Sequence, residues 1–248
     1  MSRERFSFKQ FIIDQDRCAM KVGTDGVLLG AWATLEGNPD SILDIGAGTG
    51  LIALMMAQRS DAGTIDAVEI DASAYEQCVE NFEASPWGDR LFCYHAGLDE
   101  FVAEWEDLYD LIVCNPPFYS EDVSSGNTSR NTARQMVALP FDELLKGVSQ
   151  LLSEQGSLAV IIPFKEEDRF LAQASVFDLH PKRITRVRGN PNAKLKRSLL
   201  QLSPRQSDSD KLEPNVHGPE IDELVIEYER HAYTRDYRKL TEDFYLKM

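Results

Sequence analysis

The chain has few cysteines, and they lie far apart. Its cysteines are Cys18, Cys78, Cys93 and Cys114, and no two of them form a Cys-x-x-Cys pair. This spacing argues against a disulfide framework and against a zinc site. The four histidines, at positions 95, 180, 217 and 231, also lack the spacing of metal ligands. We therefore predict no metal centre.

Long hydrophobic runs are also absent. No apolar run approaches the roughly 20 residues of a transmembrane helix, and residues 1–10 are too polar for a signal peptide. These absences predict no membrane partner and favour a cytoplasmic protein. The 248 residues, 43% of them hydrophobic, suffice for one domain with a sizeable core. The sequence does not set an oligomeric state.

Positive charge is scarce except in one segment. The net charge is −15, which argues against a nucleic-acid partner for the chain as a whole. Residues 182–205 nevertheless carry eight basic residues and no acidic one: Lys182, Arg183, Arg186, Arg188, Lys194, Lys196, Arg197 and Arg205. This stretch either balances neighbouring acids or contacts phosphate groups.

Strand-like and helix-like segments alternate from about residue 41 to residue 177. The pattern predicts strands over 41–45, 64–70, 91–95, 108–114 and 157–163, and helices over 51–59, 73–84, 142–152 and 166–175, with Ser73 as an N-cap. Several of these strands are apolar throughout, as in strands that are covered on both faces. We therefore predict an α/β fold with a doubly wound, mostly parallel sheet.

The pattern changes after residue 178. Segments 181–188 and 198–203 read as an antiparallel hairpin at the edge of the sheet, 204–220 as a loop, and 223–229 as a further strand. Segment 234–248 has helical spacing of aromatic residues. We predict a single domain over 1–248. It comprises an N-terminal segment (1–38), a Rossmann-like core (39–203) with the basic hairpin (180–203), and a final loop, strand and helix (204–248).

A glycine-rich loop follows the first core strand. It reads Asp44-Ile45-Gly46-Ala47-Gly48-Thr49-Gly50, and open α/β sheets bind ligands at this position. The Gly-x-Gly-x-Gly spacing differs from the dinucleotide fingerprint and disfavours a dinucleotide oxidoreductase. A carboxylate at Asp44 suits a cationic ligand better than a pyrophosphate.

A second acid ends the next predicted strand. Glu69 lies nineteen residues after Gly50, and a carboxylate there can accept hydrogen bonds from both hydroxyls of a ribose. Asp71 is better suited to capping the following helix.

These residues together resemble the class I S-adenosylmethionine-dependent methyltransferases. The resemblance implies that S-adenosylmethionine is the cofactor, that Asp44, Gly46, Gly48 and Gly50 lie against its amino acid part, and that Glu69 holds its ribose. The family often has an acid just after the third strand, near the adenine. Here Gly97 stands at that position, so the candidate is Asp99, two residues later.

The predicted strand 108–114 runs into a proline-rich turn. The turn consists of Asn115, Pro116, Pro117 and Phe118. The prolines have no N–H donor, so the Pro116 carbonyl and the Asn115 amide oxygen can both accept hydrogen bonds from an amine. Phe118 offers a ring on which a planar base can stack. Alone, the motif is also compatible with a plain turn.

This tetrapeptide resembles the amino-methylating branch of the family. Its members methylate adenine N6, cytosine N4, guanine N2 or a protein glutamine. The resemblance gives the catalytic role to residues 115–118. Segments 8–11, 16–32 and 233–248 resemble the bacterial enzymes that methylate N6 of adenine 37, next to the anticodon of valine tRNA. The implied partner is the anticodon stem-loop of a tRNA.

The same resemblance suggests further binding residues. Lys21, Thr24 and Asp25 would line the cofactor pocket, although their segment could instead merely cover the sheet. Within the polar stretch 119–135, Arg130 and Arg134 would contact phosphate or belong to an ordinary surface loop. The hairpin residues expected to grip the RNA backbone are Arg183, Arg186, Arg188, Lys194, Lys196 and Arg197.

Two other functions stay open. The same chemistry could act on another amine, such as an rRNA guanine or a protein glutamine. Enzymes of the glutamine type usually carry a separate N-terminal helical domain, and only about 40 residues precede the glycine loop here. A non-catalytic nucleotide- or RNA-binding module is the second alternative, and the intact motif at 115–118 weighs against it.

Overall fold

The computed structural model describes residues 4–117, 139–205 and 218–247. The N-terminal segment forms β1 (Arg5–Ser7), β2 (Ile12–Asp14) and α1 (Thr24–Trp32). The core forms β3 (Ser41–Ile45), α2 (Leu51–Arg59), β4 (Thr64–Glu69), α3 (Ala72–Glu83), β5 (Leu91–His95), α4 (Leu98–Glu104), β6 (Tyr109–Cys114), α5 (Phe141–Leu151), β7 (Leu152–Pro163), a 3-10 turn (Phe164–Glu166) and α6 (Glu167–Val176). The last part forms β8 (Leu179–Arg188), β9 (Arg197–Pro204), β10 (Glu220–Val225), β11 (Glu227–Glu229), β12 (Ala232–Tyr233) and α7 (Arg235–Thr241).

The main sheet has the strand order β10-β8-β9-β7-β6-β3-β4-β5. Strands β7, β6, β3, β4 and β5 are parallel, β9 is antiparallel to β7 and β8, and β10 is parallel to β8. This confirms the predicted α/β class with a mostly parallel sheet. The chain builds outward from β3 through β4 and β5, then returns to β6 on the other side of β3. A crevice therefore opens where the carboxyl ends of β3 and β6 diverge.

Both faces of the sheet are buried. Alternate residues of β6 point to opposite faces: Leu111 and Val113 belong to the core shared with α1, α2 and α3, and Ile112 and Cys114 to the core shared with α4, α5 and α6. Each fully buried side chain of this kind contributes about 1.5–3 kcal/mol. This double burial explains the apolar strands and holds the carboxyl ends of β3 and β6 in fixed positions.

The predicted edge position of the hairpin is wrong. Strands β8 and β9 do form an antiparallel hairpin, but β10 covers its outer side, with Ile221 paired to Ile184. Four of the six β10 residues are exposed, as is common in an edge strand, so its apolar pattern is weak. The strand predicted over 223–229 is in fact two strands, β10 and β11, which are separated at Ile226.

Several predicted helix boundaries also differ. Helix α3 is capped by Asp71, whose side chain accepts a hydrogen bond from the Ala74 N–H at 2.9 Å. This confirms the expectation that Asp71 caps the helix, and the prediction of Ser73 as the cap is wrong. The C-terminal helix α7 is shorter than the predicted 234–248 and is capped by Thr234. Helix α1 was not predicted because it is buried nearly all round and has little amphipathic pattern. In the part of the chain that the structure describes, no helix is long and apolar enough to cross a membrane.

Candidate active site

A cleft of about 720 Å³ opens at the carboxyl ends of β3, β6 and β7. Five segments line it: the N-terminal segment, the glycine loop with the start of α2, the residues after β6, the end of β7, and the β8–β9 loop. The lining residues include Met20, Lys21, Thr24, Asp25, Gly26, Gly46, Ala47, Gly48, Asn115, Pro116, Pro163, Phe164, Lys165, Leu195, Lys196 and Arg197. The cleft thus joins the two motifs that the sequence singled out.

Two of the three loop glycines present an open surface to this cleft. Gly46 and Gly48 have φ angles of +74° and +56°, and a Cβ atom on either would meet nothing within 4 Å. Gly50 is different: at φ +78° its Cβ would lie 2.6 Å from a ring carbon of Phe82 and 2.9 Å from the sulfur of Cys78. Gly50 therefore packs against α3 and does not line the cleft.

Glu69 holds the glycine loop in place. One carboxylate oxygen accepts a hydrogen bond from the Gly48 N–H at 2.8 Å, and the other accepts one from the Asp71 N–H at 2.8 Å. The residue is only 7% exposed. Each carboxylate oxygen still has a lone pair to offer, so a pair of ligand hydroxyls could bind at the end of β4.

Asp44 is fully buried behind the loop. One side-chain oxygen accepts a hydrogen bond from the Ala53 N–H at 3.1 Å, while Oδ1 has no partner among the described residues. Burial raises the pKa of Asp44 to about 7, and the nearby charge of Glu69 adds to this effect. A buried carboxylate oxygen without a donor is costly, so this group fits a ligand that carries positive charge. The residue itself does not line the cleft.

The Asp99 side chain lies close to Gly97, the residue that stands where the family often has an acid. A Cβ atom on Gly97 would lie 2.8 Å from Asp99 Oδ1 and 3.7 Å from the side chain of Ile70. The exposed Asp99 carboxylate thus occupies the space that a side chain at position 97 would enter. Ile70 follows Glu69 directly and is 55% exposed. The sequence analysis did not include Ile70 among the candidate site residues. The available signal was its position, an apolar side chain directly after Glu69.

Asn115 and Pro116 follow β6, the strand that pairs with β3, and they line the cleft together with the glycine loop. Asn115 is half-buried and Pro116 buried. The Asn115 side chain makes no hydrogen bond within residues 4–117, 139–205 and 218–247, and its amide nitrogen lies 4.0 Å from a Cβ built on Gly26. Its polar atoms are therefore available to a ligand. Pro117 is half-buried. Phe118, Arg130 and Arg134 lie outside the described residues.

The N-terminal residues Lys21, Thr24 and Asp25 all line the cleft, and their role towards a cofactor stays a prediction. Lys21 forms an ion pair with Glu4. The Asp25 carboxylate accepts a hydrogen bond from Arg197 Nε at 2.8 Å. This pair ties the start of α1 to β9 and closes one side of the cleft.

The arginines of the hairpin are mostly engaged within the protein. Arg186 donates to both carboxylate oxygens of the buried Glu167, at 2.7 and 3.2 Å. Arg188 pairs with Glu223 at 2.6 Å, and the Arg183 guanidinium lies 4.5 Å from the centroid of the Trp32 ring. These contacts favour the interpretation that the basic stretch balances neighbouring acids, because arginines held this way have fewer donors left for phosphate.

The lysines of the hairpin differ from its arginines. Lys194 and Lys196 are exposed, and neither has a carboxylate within 4.0 Å among the residues described. Lys165, which the sequence reading missed, is likewise exposed at the cleft. Lys165 and Lys196 line the cleft and give it positive charge, and Lys194 lies two residues before Lys196 in the same loop.

Phe164 is a second site residue that the sequence reading missed. Its backbone N–H donates to the Lys196 carbonyl at 3.1 Å, and the Arg186 guanidinium lies 5.7 Å from its ring centroid. It follows β7, the strand next to β6, so it enters the cleft beside residues 115–117. The signal was a proline-aromatic pair directly after an apolar strand, as in the Pro117-Phe118 pair.

The donor set suits an organic cation better than a metal. Within the described residues there is no group of three or more histidine, cysteine or acidic side chains that could hold a metal ion. The open glycine faces, the buried Asp44 and the strand-ending Glu69 fit an amino acid and a ribose. Across the cleft, Asn115 and the Pro116 carbonyl offer acceptors to an amine.

Comparison with known proteins identifies the family of this chain. Residues 26–175 match the family model described as the methyltransferase small domain. A relative from Flavobacterium johnsoniae is 61% identical over 98% of this chain and 100% of its own length, and one from Christiangramia forsetii is 58% identical over the whole of both chains. A Bacteroides fragilis relative is 44% identical over the whole of both. All three are named tRNA1(Val) (adenine(37)-N6)-methyltransferase.

Solved structures show the same fold at low sequence identity. A predicted O-methyltransferase from Agrobacterium tumefaciens has a TM-score of 0.65 at 16% identity, covering 89% of this chain and 96% of its own. TrmN from Thermus thermophilus has a TM-score of 0.51 at 18% identity, covering 71% of this chain and 48% of its own.

Proposed function

This chain belongs to the methyltransferase small domain family, and on that basis we propose that it methylates N6 of adenine 37 in valine tRNA, with S-adenosylmethionine as the methyl donor. The observation that carries the proposal is the meeting of the glycine loop and Asn115-Pro116 in one cleft. One wall suits the cofactor, and the other suits an amine. The tRNA substrate follows from full-length relatives at 58–61% identity.

The cofactor side uses fixed backbone and buried charge. S-adenosylmethionine supplies a methyl group on a positively charged sulfur. Gly46 and Gly48 allow close approach of its amino acid part, since no side chain stands there. Glu69 accepts hydrogen bonds from the ribose, and the carboxylate of Asp44 favours the positive charge nearby. Asp99 and Ile70 are the residues we propose to contact the adenine of the cofactor, because the two side chains lie close together just after β4 and β5.

The substrate side orients the nucleophile. The exocyclic amine of adenine is weakly nucleophilic because its lone pair is delocalised into the ring. Two acceptors, the Asn115 amide oxygen and the Pro116 carbonyl, would each take one N–H of the amine and turn its lone pair towards the methyl group. Positioning of this kind can account for a large part of a rate enhancement. As the N–C bond forms, the bond between the methyl carbon and sulfur would break, with its electron pair left on a neutral thioether sulfur. The amine becomes acidic in this step, so its proton can pass to water without a strong general base.

An adenine beside the anticodon is well suited to this cleft. It lies in a loop, so it can leave the stack at low cost and stack on an aromatic side chain. Phe118 and Phe164 are the candidate rings. Lys165, Lys194 and Lys196 at the mouth would contact the backbone on either side of the base. We place this reaction in the cytoplasm, where tRNA is modified.

The direct test is methyl transfer from labelled S-adenosylmethionine to unmodified tRNA, followed by nucleoside analysis. We expect N6-methyladenosine, located at position 37 of valine tRNA. Label in an rRNA guanine or a protein glutamine instead would keep the chemistry and change the substrate. Binding of tRNA and cofactor without any transfer would favour a non-catalytic module.

A further inference from the structure

A second groove lies on the C-terminal helix, away from the cleft. It is lined by Tyr228, Tyr233, Arg235, Arg238, Lys239 and Glu242, and we call it the α7 groove. Nothing in the proposed reaction uses these residues. Between positions 230 and 239 the chain has four basic residues and one acidic residue, in a protein whose net charge is −15.

The three basic side chains of the α7 groove are exposed and without acidic partners. Arg235, Arg238 and Lys239 have no carboxylate within 4.0 Å in the three described ranges. Their spacing of three and four residues places them on one face of the helix. Three like charges repel one another there, so the face favours an anion with more than one charge. This is the opposite of the hairpin, where Arg186 and Arg188 are paired.

Two tyrosines complete the surface. Tyr228 is 65% exposed. Tyr233 is half-buried, and its ring centroid lies 5.3 Å from that of the buried Tyr237, which anchors the helix. Exposed aromatic rings beside unpaired cations are typical of surfaces that bind a nucleic-acid backbone and stack a base. Simple anions or acidic peptides would not require the rings.

The α7 groove and the cleft lie at the same end of the sheet, where the parallel strands β7, β8 and β10 finish. Strand β10 runs parallel to β8 and ends with Val225 opposite Arg188. The next residues hydrogen-bond to the end of β8 and the start of the β8–β9 loop: the Ile226 N–H donates to the Arg188 carbonyl at 3.1 Å, and the Glu227 N–H donates to the Gly189 carbonyl at 3.0 Å. The other end of that loop, at Lys196, lines the cleft. One extended molecule could therefore contact both sites.

We propose that the α7 groove is a second tRNA-binding site, which holds the phosphate backbone of a tRNA stem while the anticodon loop occupies the cleft. This inference rests on the proposed function. The groove gives affinity without reading sequence, because phosphate contacts carry no base information. The groove also explains how a strongly acidic protein would hold RNA. The RNA would contact only the lysines near the cleft (Lys165, Lys194 and Lys196) and the basic residues of the α7 groove.

The test compares two triple variants with the same change in net charge. The groove variant is Arg235→Gln, Arg238→Gln and Lys239→Gln. The control variant is Arg5→Gln, Lys146→Gln and Arg169→Gln, all exposed and outside both the basic stretch 182–205 and the α7 groove. Affinity for full-length unmodified tRNA is measured across a salt series. S-adenosylmethionine affinity, and turnover at saturating tRNA, are measured alongside.

For the groove variant we expect tRNA affinity to fall about tenfold or more near 0.15 M salt, and the salt slope to fall by about two to three. Cofactor affinity and saturated turnover should match the wild type, and the control should bind tRNA within twofold of it. Tyr228→Ala should weaken tRNA binding without changing the salt slope.

An unchanged tRNA affinity and slope in the groove variant would overturn the inference, as would an equal loss in the control. If either of these two results is found and the wild type still methylates tRNA, only the groove inference fails and the proposed function stands. If the wild type methylates no tRNA, the proposed function fails independently of the groove.

Discussion

The Glu69 carboxylate accepts a hydrogen bond from the backbone N–H of Gly48 at 2.8 Å. The acid that ends β4 therefore holds the loop that follows β3. Its other oxygen fixes the Asp71 N–H at the start of α3. One side chain thus joins the glycine loop to the start of α3 and can still accept hydrogen bonds from a ligand.

We expect Glu69→Gln to weaken S-adenosylmethionine binding at least tenfold and to lower the melting temperature. An amide offers one acceptor oxygen, so either Gly48 or Asp71 loses its partner, and a buried unpaired donor costs about 1–3 kcal/mol. Calorimetric titration and thermal unfolding measure the two effects. Asp71→Ala is the control: it removes the α3 cap, at a cost of about 1 kcal/mol, and should affect cofactor affinity much less. A Glu69→Gln protein with normal affinity would reduce Glu69 to a structural role.

The loop glycines should separate into two kinds. Gly48→Ala and Gly50→Ala share the left-handed backbone penalty of about 1–2 kcal/mol. Gly50→Ala adds a clash with Phe82 and should lower the free energy of unfolding further. Gly48→Ala places a methyl group in the open cleft, so it should lose more cofactor affinity than stability. Urea unfolding and ligand titration on both variants distinguish these outcomes, and equal behaviour of the pair would contradict the geometry described for the loop.

Local patterns were enough to predict the core of the fold. The apolar strands, the glycine loop and the proline-rich turn are contiguous in sequence, and their physical requirements are visible there. The bounds of the edge strand β10 were predicted wrongly because this strand is mostly exposed and is defined by its pairing with β8, which has no local sequence signal. The ionic partners of the hairpin were also hidden: Arg186 meets Glu167, and Arg197 meets Asp25 across 172 positions. Such pairs depend on the tertiary fold, so composition alone could not distinguish paired arginines from available ones.

Asp44 should make stability and cofactor binding depend on pH. Its pKa is about 7 in the folded protein, against 3.8 for the free group. The folded state keeps a proton that the unfolded chain loses, so Asp44 should cause stability to fall as pH rises from about 4 to 7. A positively charged ligand favours the carboxylate, so S-adenosylmethionine should bind more tightly as pH rises through 7 and should release a proton.

Titration calorimetry in buffers of different ionisation enthalpy counts that proton. Asp44→Asn should abolish the release and flatten this part of the pH dependence of stability. If the wild type released no proton near pH 7, cofactor binding would not favour the ionised form of Asp44, and this prediction would be wrong.

Phe164 should contribute to binding of the target base. Stacking of a base on an aromatic ring is worth about 1–3 kcal/mol, so Phe164→Ala should raise the KM for tRNA roughly 5- to 100-fold. The Kd for S-adenosylmethionine should stay within about twofold. Phe164→Tyr keeps the ring and should restore most of the affinity for tRNA. Steady-state kinetics with tRNA varied checks this, and an equally impaired tyrosine variant would argue against stacking.

The central claim is that Asn115 and the Pro116 carbonyl position an amine for methylation. The most direct measurement is transfer from labelled S-adenosylmethionine to unmodified valine tRNA by the wild type and Asn115→Ala, with cofactor affinity measured on both. We expect N6-methyladenosine at position 37 from the wild type. Asn115→Ala should be at least about a hundredfold slower, with cofactor affinity within twofold. Normal turnover by Asn115→Ala would contradict the account.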